Sequence, residues 1–220
     1  MSSQPSFPQG PFRPARSLIL ASSSPRRQHL LAQCGLYFDV LPSRVSEPQP
    51  EHDELPEDYA GRMARIKAED VRGRSSAGCI LAADTIVVLG SRVLGKPDSP
   101  AQALETLIML NGRTHRVMTG CCLLDLDRNQ NRTFTAITEV TMARHSQAVL
   151  AAYVQTGEPM DKAGSYGIQG AGSFLVSGIS GSYTNIVGLP VNESIAALLA
   201  WGVIQVASKG QSAELSEGMA

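Results

Sequence analysis

The stretch Cys79-Ile-Leu-Ala-Ala-Asp84-Thr85-Ile-Val-Val-Leu-Gly90 has the composition of a β-strand buried on both faces, with a single carboxylate set in its middle. Ile80, Leu81, Ile86, Val87, Val88 and Leu89 supply the apolar run. An ionised carboxylate in such a setting is costly unless a cation, a metal or hydrogen-bond donors compensate it, and sites of that kind are often catalytic. Asp84 is therefore the first candidate for chemistry. The plainer alternative is a turn at Ala83-Asp84, but Gly, Pro and Asn are absent beside it and the apolar pattern resumes at Ile86.

Working outward, Gly90-Ser91 is a two-residue turn of the Gly-X kind, and Arg92-Val-Leu-Gly95-Lys96-Pro97 follows it, which predicts a hairpin. With Leu89 opposite Arg92, Lys96 falls opposite Thr85 and beside Asp84, within roughly 5–8 Å across the strands. The face that Lys96 occupies depends on whether Gly95 makes a bulge. Lys96 is a candidate to stabilise the Asp84 carboxylate and to meet a phosphate, or else a simple ion-pair partner at a strand end.

Upstream, Ser17-Leu-Ile-Leu-Ala21 reads as a short buried strand and Gln28 to Cys34 as a helix. Ser24 at the N-cap, Pro25 at the first helical position and Gly35 at the stop mark its ends. Arg26 and Arg27 then lie in the first turn, where cations oppose the helix macrodipole and Asp or Glu is the usual choice. Helix N-terminal amides, the Ser22 and Ser24 hydroxyls and two guanidinium groups would form an oxyanion or phosphate cradle. The same residues also fit a capped surface helix with solvated arginines. Neither G-x-x-x-x-G-K-[ST] nor G-x-G-x-x-G is present.

The chain has 220 residues, enough for one enzyme-sized unit with a substantial core. Its 19 basic and 20 acidic side chains give no general reason to bind nucleic acid or an anionic membrane. Cys34, Cys79, Cys121 and Cys122 show no C-x-x-C spacing and the histidines are scattered, so neither zinc nor a disulfide framework is suggested. The longest apolar stretch, Ile195 to Ile204, is well short of the roughly 20 residues of a bilayer span. A cytoplasmic protein is expected.

Elsewhere, residues 1–16 and 207–220 read as mobile tails around one domain over 17–206. Tyr37 to Leu41 suggests a strand, and the loop from Pro42 to Pro56 contains Glu47. Pro56 opens a helix to about Gly73, on which Lys67 is by default a surface lysine. A helix follows from Ser99-Pro100, with Leu104, Leu107, Ile108 and Leu110 as its apolar side. Two strands flank Asp127 to Asn131, with His115, expected as a structural hydrogen-bonding residue, just before them. A helix capped by Ser146 leads to the glycine-rich Glu158 to Gly170. That segment is either a ligand-approaching loop in which Gln169 offers an amide to a base edge, or a plain loop with an Asp161–Lys162 pair, before a strand at Phe174 to Val176. Asn192 is expected to cap the last helix, to Trp201. Alternating strands and helices with an added hairpin and meander indicate α/β with a mixed sheet.

In order along residues 17 to 204, Leu18-Ile-Leu-Ala-Ser22-Ser-Ser24-Pro-Arg26-Arg27, Ala83-Asp84-Thr85, Gly95-Lys96-Pro97, Met118-Thr119-Gly120, Asp161-Lys162-Ala-Gly164-Ser-Tyr-Gly-Ile-Gln169-Gly170 and Gly188-Leu-Pro190 resemble the successive blocks of the Maf family. The resemblance implies a nucleoside triphosphate pyrophosphatase that needs Mg²⁺ or Mn²⁺, on a fold shared with the inosine triphosphate pyrophosphatases: a long mixed sheet in two lobes around a cleft. It also implies a homodimer. By position it assigns Asp84 and Lys96 to catalysis, Ser22, Ser24, Arg26, Arg27, Lys67, Thr85 and Gln169 to the substrate, and Glu47 with Asp84 to the metal. Whether Asp84 is base or ligand stays open. The Arg26-Arg27, Asp84-Thr85 and Ile168-Gln169 variants are similar to the branch acting on dTTP and UTP. A nucleotide-binding regulator of cell division without turnover, and a purine (inosine or xanthosine) triphosphatase, are the alternatives.

Overall fold

The computed structural model describes residues 10–207. The elements run β1 (Phe12–Pro14), β2 (Leu18–Leu20), α1 (Pro25–Gln33), β3 (Asp39–Val40), α2 (Pro56–Arg72), β4 (Cys79–Leu89), β5 (Arg92–Leu94), α3 (Pro100–Leu110), β6 (Thr114–Asp125), β7 (Gln130–Met142), α4 (Gln147–Gln155), β8 (Val176–Ser180), α5 (Tyr183–Val187), α6 (Val191–Ala200) and β9 (Ile204–Val206). A seven-stranded mixed sheet has the order β3-β2-β4-β6-β7-β8, with β5 added beside β4.

Strand β4 is the axis of this sheet, and it is covered on both faces as its composition requires. Ile80 and Ala82 pack on Ala64, Ala68 and Val71 of α2, and Ile86 and Val88 on Tyr59, Ala60 and Met63 of the same helix. On the other face Leu81 and Ala83 meet Leu30 and Leu31 of α1 and Leu198 of α6, while Val87 meets α3 and α4. One edge of β4 is paired with β6 continuously from Cys79↔Asp125 to Val88↔Arg116. The other edge is shared. Strand β2 runs parallel to Cys79–Leu81, and β5 pairs antiparallel with Val87–Leu89 in the expected register, Leu89↔Arg92. Among the described residues no strand lies along Ala82 to Ile86 on that side, so a cleft opens there with Asp84 at its centre.

Several expectations are corrected. The tail expected over 1–16 does not extend that far, because Phe12–Pro14 pairs antiparallel with β9 and Arg16 is bonded to Asp125 and Asp127. Residues 1–9 and 208–220, the remainder of both expected tails apart from Ala207, lie outside the described residues. The segment from Ala171 to Leu175 is a 3₁₀ turn, and the strand begins only at Val176. Pro190, not Asn192, is the N-cap of α6. In α3 the buried side is Ala103, Thr106, Leu107 and Leu110, and Ile108 is exposed.

Candidate active site

All of the residues assigned to catalysis, substrate or metal from the sequence line one cleft of about 720 Å³ at the break in β4 pairing. Its walls come from the β2–α1 turn, the loop before α2, α2 itself, β4, the end of β5, the glycine-rich loop and the turn at Gly188.

Asp84 points to the α2 side of the sheet, where Lys67 donates to its Oδ1 at 2.5 Å and to Oε1 of Glu47 at 2.6 Å. One ammonium is thus clasped by two carboxylates. Lys67 is no surface lysine: it follows Ala60 and Ala64 on the stripe of α2 that faces the sheet, and its side chain is only 14% exposed. The helix approaches so closely because Gly120, opposite Asp84 in the β4–β6 ladder, has no Cβ, and a Cβ there would collide with the Ala60 carbonyl. The expectation that Lys96 is the cation beside Asp84 is corrected by the same geometry. Ladder pairing stops at Leu94, and the Gly95 carbonyl instead accepts from Gly164 N at 3.1 Å. Lys96 turns into the cleft without a hydrogen bond or ion pair to any described residue, and its charge reaches Glu47. Burial works to raise the Glu47 carboxyl, but the Lys67 hydrogen bond and charge, with Lys96 and Arg27, hold it below the ordinary value. Oδ2 of Asp84 has no partner among the described residues.

The opposite wall is built on Arg27. Its Nε donates to Gly188 O at 2.7 Å, Nη1 to Ser22 Oγ at 3.1 Å and Nη2 to Thr85 Oγ1 at 3.0 Å. Thr85 Oγ1 is also 2.9 Å from Thr119 Oγ1, and Thr119 in turn donates to the Asn185 carbonyl. Gly188 has φ +122°, a conformation that favours glycine and that accompanies the carbonyl contact to Arg27. Burial lowers the Arg27 pKa, opposed by the charge of Asp84. Arg26 is freer, with only a 3.5 Å contact to exposed Asp161. Ser24 is the N-cap of α1 by backbone position, but its hydroxyl makes no cap bond, and its N–H donates to Ser22 Oγ at 3.2 Å.

The glycine-rich loop is a series of short 3₁₀ turns, and it does contain the expected Asp161–Lys162 pair at 2.6 Å. Gln169 lines the cleft and has no hydrogen-bond partner among the described residues. Sequence reasoning missed the residue that closes this loop. Glu158 accepts from Tyr153 OH at 2.9 Å, Ala171 N at 2.8 Å and Gly172 N at 3.1 Å. An acid opening the loop that leads to Gln169 carried no local signal beyond its place before Pro159. His115 is buried with Nε2 2.8 Å from Tyr166 OH, and burial lowers its pKa to about 4, which keeps it a neutral structural group near pH 7.

A family model described as Maf-like protein matches residues 17–201. The chain belongs to the Maf family. All of the Maf blocks except Met118-Thr119-Gly120 contribute residues to the walls of one cleft, brought together from β2 to the Gly188 turn. Among curated relatives, the dTTP/UTP pyrophosphatase of Nitratidesulfovibrio vulgaris is 50% identical over 195 residues, covering 89% of this chain and 92% of the relative. The proteins of the same name from Oleidesulfovibrio alaskensis and Methanosarcina mazei are 45% and 46% identical, over 93% and 80% of this chain and 94% and 89% of their own lengths.

Proposed function

We propose that this Maf protein is a dTTP/UTP pyrophosphatase, which cleaves the bond between the α- and β-phosphates to give a nucleoside monophosphate and pyrophosphate. The carrying observation is a carboxylate with one oxygen fixed by Lys67 and the other without a partner among the described residues, in a cleft also lined by Arg26, Arg27 and Lys96. A triphosphate of roughly four negative charges needs such a surround of cations. The relatives named above support the choice of dTTP and UTP.

Asp84 orients a water through Oδ2 and takes its proton as the water oxygen attacks the α-phosphorus. The bond to the bridging oxygen breaks, and Lys96 and Arg26 stabilise the charge that leaves on pyrophosphate. Lys67 holds Asp84 in place through its hydrogen bond, Arg27 holds the Ser22 and Thr85 hydroxyls in place, and Gln169 presents its amide to the pyrimidine edge. A divalent ion fits as a companion of the substrate rather than as a caged group. Among the described residues no three His, Cys, Asp or Glu side chains gather at a point, but Glu47 and Asp84 are each bonded to Lys67 through one oxygen and would offer the ion their other oxygens, and Mg²⁺ characteristically takes one or two carboxylates plus phosphate oxygens. When bound it would neutralise phosphate charge and polarise the reacting phosphorus. A cytoplasmic location and a homodimer are part of the same proposal; the four free cysteines fit a reducing compartment, and the homodimer rests on the family resemblance alone.

The test is pyrophosphate release, detected as phosphate with added inorganic pyrophosphatase and Mg²⁺, across dTTP, UTP and ITP. Asp84→Asn is expected to lower turnover of dTTP by about 10²–10⁴-fold with an unchanged circular dichroism spectrum. Retained turnover overturns the role of Asp84. Absence of release from every triphosphate by the unmodified protein favours a nucleotide-binding regulator, and a preference for ITP favours the purine enzyme.

A further inference from the structure

Glu47 sits on a loop with no helix or strand of its own, yet its carboxylate arrives 2.6 Å from Lys67 Nζ. The segment just after it is tied to α2 at three points. Arg62 donates through Nε and Nη2 to the two carboxylate oxygens of Glu54, both at 2.6 Å, and Nη2 reaches Gln49 O at 3.3 Å. Tyr59 OH donates to Pro48 O at 3.1 Å, and the Arg62 guanidinium lies 5.4 Å over the Tyr59 ring. Glu54 Oε2 also accepts from Glu51 N at 3.0 Å, which closes the turn.

This is not an ordinary surface ion pair. Both partners are largely covered, 16% and 11% exposed, the contact is bidentate, and a ring and a backbone carbonyl share the same guanidinium. The two carbonyls it and Tyr59 hold belong to the residues directly following Glu47. Lys67, the target of Glu47, is on the same helix as Tyr59 and Arg62, so one rigid element fixes both ends of the Glu47–Lys67 contact.

We propose that Arg62 is a positioning residue, which with Glu54 and Tyr59 folds residues 48–54 onto α2 and so presents Glu47 to Lys67 and Asp84. The proposal rests on the reading of Glu47 as part of a pyrophosphatase site. It acts only through Glu47, and this sets it apart from a general contribution to stability.

The experiment is a double-mutant cycle on kcat/KM for dTTP with Arg62→Ala, Glu47→Gln and both together, alongside amide hydrogen exchange of the folded proteins. Arg62→Ala is expected to lower kcat/KM by roughly 10–100-fold, and to do so by less than about 2-fold when Glu47 is already Gln. Exchange at the hydrogen-bonded Glu51 and Glu54 amides is expected to speed up about 10-fold while β4 stays protected. An undiminished loss in the Glu47→Gln background, unaltered kcat/KM or unaltered loop exchange each overturns the proposal. If Arg62→Ala does not fold, the cycle with Glu54→Gln gives the same decision. Unmodified protein that releases no pyrophosphate fails the pyrophosphatase reading alone, and the exchange measurement then decides whether Arg62 holds the loop.

Discussion

Arg26 and Arg27 are adjacent, and their surroundings make them different tools. Arg27 places its planar fork against oxygens of Gly188, Ser22 and Thr85, a pattern that a lysine ammonium cannot reproduce. Arg27→Lys is expected to cost about 1–3 kcal/mol of stability as well as activity. Arg26→Lys is expected to change stability by no more than about 0.5 kcal/mol, since exposed ion pairs contribute little, and to act chiefly on KM. Thermal denaturation with steady-state kinetics on dTTP separates the two, and equal stability losses would show the division to be wrong. Local sequence singled out both arginines because both oppose the helix dipole. It could not tell them apart, because the carbonyl that fixes Arg27 lies 161 residues away.

The element that governs the site is α2 lying flat on β4 and β6. Its approach depends on Gly120, and Gly120→Ala is expected to force the helix off the sheet, at a cost of at least about 1–3 kcal/mol and with a loss of kcat/KM as Lys67 moves away from Asp84. Gly95→Ala is the control, because a Cβ there meets nothing within 4 Å, and its stability is expected to stay within about 0.5 kcal/mol. Urea denaturation of the two variants checks the contrast. The β4–β5 register was legible because a two-residue turn dictates the pairing that follows it. The position of Lys96 was not, since a backbone N–H from the glycine-rich loop takes the Gly95 carbonyl and ends the ladder early.

Across the whole molecule, the N-terminal segment is fastened by Arg16, which donates to both oxygens of the fully buried Asp125 and to Asp127, while Asp127 also accepts from Gly78 N. The Arg16 hydrogen bond holds the Asp125 carboxyl below its ordinary value of 3.8, against the opposing effect of burial. Between the folded and the ordinary value the unfolded chain binds the extra proton. The stabilisation is therefore complete above that value and is lost as pH falls through the folded one. Arg16→Ala is expected to cost about 2–3 kcal/mol at pH 7, or roughly 5–10 °C in Tm. That gap should narrow progressively as pH falls below 3.8, which calorimetry at a series of pH values would measure. A gap independent of pH would mean that Arg16 acts through packing alone.

The sequence by itself determined the buried strand around Asp84, the hairpin after it, the arginine-rich helix start and, through the order of its blocks, the family. These are local: apolar runs, caps and turns act within a few residues of chain. Only the tertiary structure decided that Lys67 rather than Lys96 clasps Asp84, that Arg27 is a wall and Arg26 an arm, and that residues 12–16 belong to the fold. Each depends on contacts between segments far apart in sequence, where the close approach allowed by one glycine or the claim on one carbonyl settles which side chain arrives.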